Sequence, residues 1–71
     1  MTKKDWENIK IDSFKEYIIV YQTSRGKFSG KQPALYFDVN IPKYSMKFLD
    51  WLEVSDSRKY HYRRIKEIRE V

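Results

Sequence analysis

Large apolar residues occur along this chain in bursts separated by polar or glycine- and proline-bearing stretches, and the spacing within each burst predicts an element. Near the start Trp6 and Ile9 lie at helical spacing, and Thr2 with Asp5 makes a weak capping-box pattern. A short helix over residues 3–10 is expected, marginal on its own because nucleation is costly. Residues 16–22, EYIIVYQ, satisfy two patterns. Ser13 with Glu16 matches a capping box, Phe14, Tyr17, Ile18 and Tyr21 keep helical spacing, and Gly26 offers a stop. Yet residues 17–21 are all β-branched or aromatic, which is strand composition, and strand is the reading taken. SRGK then reads as a hairpin turn, with Gly26 supplying a positive φ, and residues 27–30 begin a return strand. Gly30 and Pro33 break it before ALYFDVN, residues 34–40, which reads as a strand.

Between residues 43 and 54 the pattern changes period. Tyr44, Phe48, Trp51 and Leu52 fall at i, i+4, i+7 and i+8, with Leu49 beside them and Lys47, Asp50 and Glu53 turned away. This predicts an amphipathic helix with a buried aromatic face, Asn40 as its N-cap and Pro42 in its first turn. Phe48 and Trp51 accordingly read as core.

The tail, RKYHYRRIKEIR, supports two conformations. His61, Ile65 and Ile68 share a helical face, and Arg63 with Glu67 and Lys66 with Glu70 are i, i+4 pairs. The charge order opposes the helix macrodipole, with Arg58 and Lys59 opening the segment and Glu67 and Glu70 closing it. The rival is a strand through KYHYR, paired with DWLEVS across the turn SDSR and followed by a bend at IKEI. Spacings of three and four favour the helix.

Together these elements predict one small α+β domain spanning residues 1–71: an antiparallel sheet from residues 16–40, one amphipathic helix at 43–54 covering it, and a basic C-terminal helix or strand at 58–70. A chain of 71 residues buries only about 60% of its unfolded surface. It has no cysteine, so packing or association must supply its stability, and a homo-oligomer is among the arrangements this allows. Its 17% aromatic content offers much of the needed burial.

Charge adds location. The net charge is +5, and the excess lies in two segments. Residues 23–33 carry Arg25, Lys27 and Lys31 with no acid; residues 55–71 carry Arg58, Lys59, Arg63, Arg64, Lys66 and Arg69 against Asp56, Glu67 and Glu70. Each segment is therefore +3. Such a balance suits nucleic acid, an anionic membrane or an acidic protein partner. No apolar run approaches the length needed to span a bilayer, no secretory signal opens the chain, and the best apolar face has mixed charge behind it. The expectation is a cytoplasmic protein that does not bind membranes.

Catalytic chemistry finds little footing. The single histidine, His61, has no cysteine to activate, Ser55 and Ser57 are better explained as turn or cap residues, and the carboxylates are scattered. No metal-ligand spacing or P-loop is present; SRGKFSGKQ lacks the terminal lysine–hydroxyl pair. No enzyme, cofactor or metal site is expected. The run YIIVYQTSRGKFSG resembles the hairpin that opens GIY-YIG nucleases, although that family's paired tyrosine motifs are absent, and the resemblance implies a hairpin alone.

What remains is binding. The expected function is a non-enzymatic nucleic-acid-binding accessory or regulatory protein, for DNA or RNA. Arg25, Lys27, Lys31, Arg58, Lys59, Arg63 and Arg64 would meet phosphates, and Tyr60 and Tyr62 would supply stacking. The alternative is a small interaction or inhibitor protein, of the kind viruses and mobile elements encode, docking on an acidic surface of a host protein.

Overall fold

The computed structural model describes residues 1–23 and 35–71. The SRGK turn, the return strand at 27–30, and Arg25, Lys27 and Lys31 lie outside the described residues. A short helix α1 (Lys3–Asn8) is followed by strands β1 (Tyr17–Gln22), β2 (Tyr36–Ile41), β3 (Met46–Phe48), β4 (Trp51–Glu53) and β5 (Lys59–His61). A 3₁₀ turn (Tyr62–Arg64) then leads into β6 (Ile65–Glu70).

The strands form two three-stranded antiparallel sheets, β2–β1–β6 and β3–β4–β5. Helix α1 starts as expected, with the Thr2 hydroxyl accepting the Asp5 N–H at 3.1 Å. The strand readings at 16–22 and 34–40 correspond to β1 and β2, which pair from Tyr17–Ile41 to Gln22–Tyr36. Their inward residues Tyr17, Ile19 and Ile41 join Trp6, Leu52, Val54, Tyr62 and Ile65 in a single core shared by both sheets. Trp6, from the helix, stacks on Tyr62 with ring centroids 6.0 Å apart, and Tyr21 meets Tyr60 edge-on between the sheets at 4.8 Å. Among the described residues no buried side-chain polar atom lacks a partner.

The expected helix at 43–54 is not there, so the architecture is two small sheets with one short helix, not a sheet covered by an amphipathic helix. Asn40 lies within β2 opposite Ile18 and caps nothing. Ser45 closes the turn after Pro42 by donating its hydroxyl to the Pro42 carbonyl at 2.8 Å. Tyr44 and Leu49 take positive φ, 71° and 53°, which a right-handed helix does not allow. Leu49 and Asp50 form a two-residue turn, so Phe48 and Trp51 become direct cross-strand partners. A two-residue hairpin brings i and i+3 together just as a helix does, which is why the spacing misled. Burial separates the two cases: Leu52 is in the core, whereas Tyr44, Phe48, Leu49 and Trp51 are exposed.

The tail is likewise not a helix. The rival strand through KYHYR is the one realised, as β5 paired with β4 (Trp51–His61, Leu52–Tyr60, Glu53–Lys59). Its bend comes at Tyr62–Arg64, earlier than expected, and IKEI belongs to β6. The helix-like spacing has a physical source. Where β6 pairs with β1 the register shifts between Val20 and Tyr21, leaving Lys66 as the extra residue of a bulge. Ile65 and Ile68 thereby both face inward although three apart. The anticipated pairs Arg63–Glu67 and Lys66–Glu70 are replaced by Arg69–Glu67 and Arg69–Asp38, each 3.2 Å, and by Lys15–Glu70 at 3.3 Å.

Candidate nucleic-acid interface

The two sheets have outer faces of different character. On β2–β1–β6, Arg69 bridges Glu67 and Asp38, and the Lys66 ammonium lies 5.1 Å from the centre of the Tyr36 ring. That face is largely self-neutralising.

The face of β3–β4–β5 is instead mostly apolar and aromatic. Alternation sends Lys47, Leu52 and Tyr60 inward as one cross-strand row and leaves two rows facing out, Met46–Glu53–Lys59 and Phe48–Trp51–His61. The second row sets three rings side by side across three strands. Phe48 is 56% exposed and Trp51 41%, beside Met46 at 54% and Leu49 at 77%. A contiguous exposed apolar face of this kind marks a contact surface. His61 supports the row: its ring meets Trp51 edge-on at 4.9 Å and stacks on the buried Tyr62 at 4.8 Å. Its Nδ1 accepts the Arg63 backbone N–H at 3.2 Å, which holds the imidazole against the start of the 3₁₀ turn.

The same hairpin is fastened to α1 from below. The Lys47 ammonium donates to the carbonyls of Trp6 and, at 2.9 Å, Ile9, closing the C-terminal end of the helix, and lies 5.0 Å from the centre of the Trp6 ring. The Trp6 indole Nε1 donates to the Leu49 carbonyl at 2.6 Å. An open cleft of about 380 Å³ between helix and hairpin tip is lined by Lys3, Trp6, Glu7, Lys47, Leu49 and Asp50.

The sequence-predicted site residues are distributed as follows. Arg58 directs its Nε to both Asp56 carboxylate oxygens at 2.8 Å and one terminal nitrogen to the Tyr60 hydroxyl at 3.1 Å. This hydrogen bond raises the Arg58 pKa and lowers that of Asp56. Lys59 pairs with Glu53 across the strands at 3.6 Å. Tyr60 is half-buried against Tyr21, and Tyr62, only 5% exposed, is part of the core. A buried ring has no open face for a base; the exposed rings of this face are Phe48 and Trp51, which sequence spacing had assigned to the core.

Arg63 and Arg64 are exposed in the 3₁₀ turn and make no ion pair among the described residues. The Tyr62 hydroxyl raises the Arg63 pKa, with Asp50 adding a smaller attraction. Lys59 and His61 thus lie outward on β5 at the edge of the exposed ring surface, and Arg63 and Arg64 follow them in the turn.

Among the described residues no helix is long and apolar enough to cross a membrane, and no group of three or more His, Cys, Asp or Glu side chains gathers to hold a metal ion. No protein-family model, curated protein or solved structure matches the chain.

Proposed function

We propose that this is a non-enzymatic nucleic-acid-binding protein of accessory or regulatory type, acting in the cytoplasm through the outer face of β3–β4–β5 and the adjoining basic turn. The observation that carries the reading is the exposed row Phe48–Trp51–His61, with Lys59 beside it on β5 and the exposed Arg63 and Arg64 in the turn that follows. Flat rings and cations side by side combine the two chemistries a nucleic-acid surface uses. Lys59 is not lost to Glu53, because exposed ion pairs contribute only about 0–1 kcal/mol and a phosphate can displace the carboxylate.

The test is affinity for DNA and RNA oligonucleotides as a function of salt. Binding should weaken steeply, with a logarithmic slope of about −0.7 to −0.9 per phosphate contacted. A flat salt response, or no binding at low salt, sinks the reading.

A second reading has its own observation. Met46 and Leu49 extend the exposed patch with flexible aliphatic surface that suits a protein partner, as in a docking or inhibitor protein. Capture of one stoichiometric protein partner that survives nuclease treatment and is lost in Met46→Ser/Leu49→Ser would favour it.

A further inference from the structure

We infer that the ligand is a single strand, its backbone following β5 and the 3₁₀ turn and its bases turned inward onto Trp51 and Phe48; this rests on the nucleic-acid reading above. Among the described residues, Lys59 lies outward on β5, beside the ring row, and the exposed Arg63 and Arg64 follow it in the chain. Lys59 and His61 face outward on β5, about 6.8 Å apart along the strand, and Arg63 and Arg64 continue in the turn. Trp51 lies on the neighbouring strand and Phe48 on the next. A phosphate chain held along the β5 edge thus has a ring one strand inward and another two strands inward. Bases swung off that chain would lie across the face.

Acids limit the path. Glu53 occupies the middle of the outer row, engaged by Lys59, and Asp50 sits at the hairpin tip. Repulsion at both positions keeps the phosphates off the sheet's centre and on its β5 margin, leaving the centre to uncharged base planes. Within a duplex every interior base is paired and stacked between neighbours, so none of these can lie on Trp51 or Phe48. Base–ring stacking tolerates any base, since every base has a π-face, so selection here is for strandedness over sequence.

The experiment measures fluorescence anisotropy of labelled oligo-dT, oligo-U and a blunt DNA duplex of equal length at low salt. It is paired with quenching of tryptophan emission, which reports on Trp51 because Trp6 is buried and hydrogen-bonded. Both single strands should bind at least 10-fold tighter than the duplex. Phe48→Ala/Trp51→Ala should lose 10-fold or more for single strands with little change for the duplex, whereas Trp51→Phe should retain most of the affinity. Arg63→Ala/Arg64→Ala should weaken all three ligands and reduce the single-strand salt slope by about 1.4. Phe48 and Trp51 are exposed, and a circular dichroism spectrum confirms that their variants fold. Equal affinity for duplex and single strand, or single-strand binding unchanged in Phe48→Ala/Trp51→Ala, overturns the stacking inference while leaving nucleic-acid binding in place. No affinity for any of the three ligands overturns both, as does Phe48→Ala/Trp51→Ala losing a captured protein partner in a chain that binds no oligonucleotide.

Discussion

Trp51 and His61 oppose each other across β4 and β5, with ring centroids 4.9 Å apart and ring planes at 89°. The contact turns a two-faced strand outward. Trp51 and Leu52 are consecutive, yet Leu52 is 1% exposed and Trp51 41%. The larger and more aromatic residue is the one presented to solvent.

That contrast is directly measurable. Leu52→Ala should cost about 2–5 kcal/mol, since it empties a closed core position. Trp51→Ala should cost far less, about 1 kcal/mol, chiefly the cross-strand contact with His61. Urea unfolding of the two variants checks this; equal losses would mean that Trp51 is packed inside.

Lys47 should be a structural residue despite its charge. Its ammonium satisfies the Trp6 and Ile9 carbonyls at the end of α1. A helix of six residues has little stability of its own. Lys47→Met keeps the stem over Trp6 and removes the donor, and hydrogen bonds from charged groups contribute about 1.5–3 kcal/mol. Loss in that range, with amide exchange accelerating first in residues 3–9, is expected. An unchanged unfolding midpoint would contradict the contact.

The hairpin tip carries a conformational cost that can be relieved. Leu49 has φ 53° and is 77% exposed, so its side chain contributes little burial to offset the left-handed backbone. Asn tolerates this region far better. Leu49→Asn should stabilise the fold by up to about 1 kcal/mol, with the carbonyl that receives the Trp6 indole retained. A lower thermal midpoint would show that the apolar side chain matters more than the turn.

The β4–β5 turn should have an acid limit. The Arg58 side chain holds the Asp56 carboxyl below its ordinary value of 3.8, and Asp56 in turn accepts the Arg58 backbone N–H at 3.2 Å. A carboxyl whose folded pKa is depressed contributes fully above its unfolded pKa and loses that contribution as pH falls through the folded value. The turn should therefore be unaffected at neutral pH and loosen only below about pH 4. Carboxyl carbon NMR should place the Asp56 midpoint below 3.8 and return it toward that value in Arg58→Gln. A midpoint at or above 3.8 in the parent protein would deny the pairing.

Legibility in the sequence varied with how local each element is. Thr2 before Asp5 and the β-branched run at 17–21 act through neighbouring atoms, and both appear as read, in α1 and β1. The segments 43–54 and 58–70 were ambiguous for a geometric reason. A two-residue turn at Leu49–Asp50 and a bulge at Lys66 each place residues three apart on one side, mimicking a helix in a window of that length. The charge order from Arg58 to Glu70 already argued against a helix, and the strand pairing across SDSR is the arrangement that accommodates it.

The candidate site was legible only in part for the same reason. The basic run from Arg58 to Arg64 is plain in the chain, but which of its cations are engaged depends on Asp56 and Glu53, and the latter is supplied by the neighbouring strand. The rings beside them come from β3 and β4, so only pairing brings them to the basic edge.

By itself the sequence determined the short capped helix, the first two strands, the basic character of the tail and the absence of disulfides. Tertiary structure alone decided that residues 43–54 form a hairpin and that Phe48 and Trp51 face outward while Tyr62 turns in. The physical reason lies in competition for one small core. Trp6 from the helix fills the space beside Tyr62, Lys47 is drawn inward to close that helix, and strand alternation then sends Phe48 and Trp51 to the opposite face.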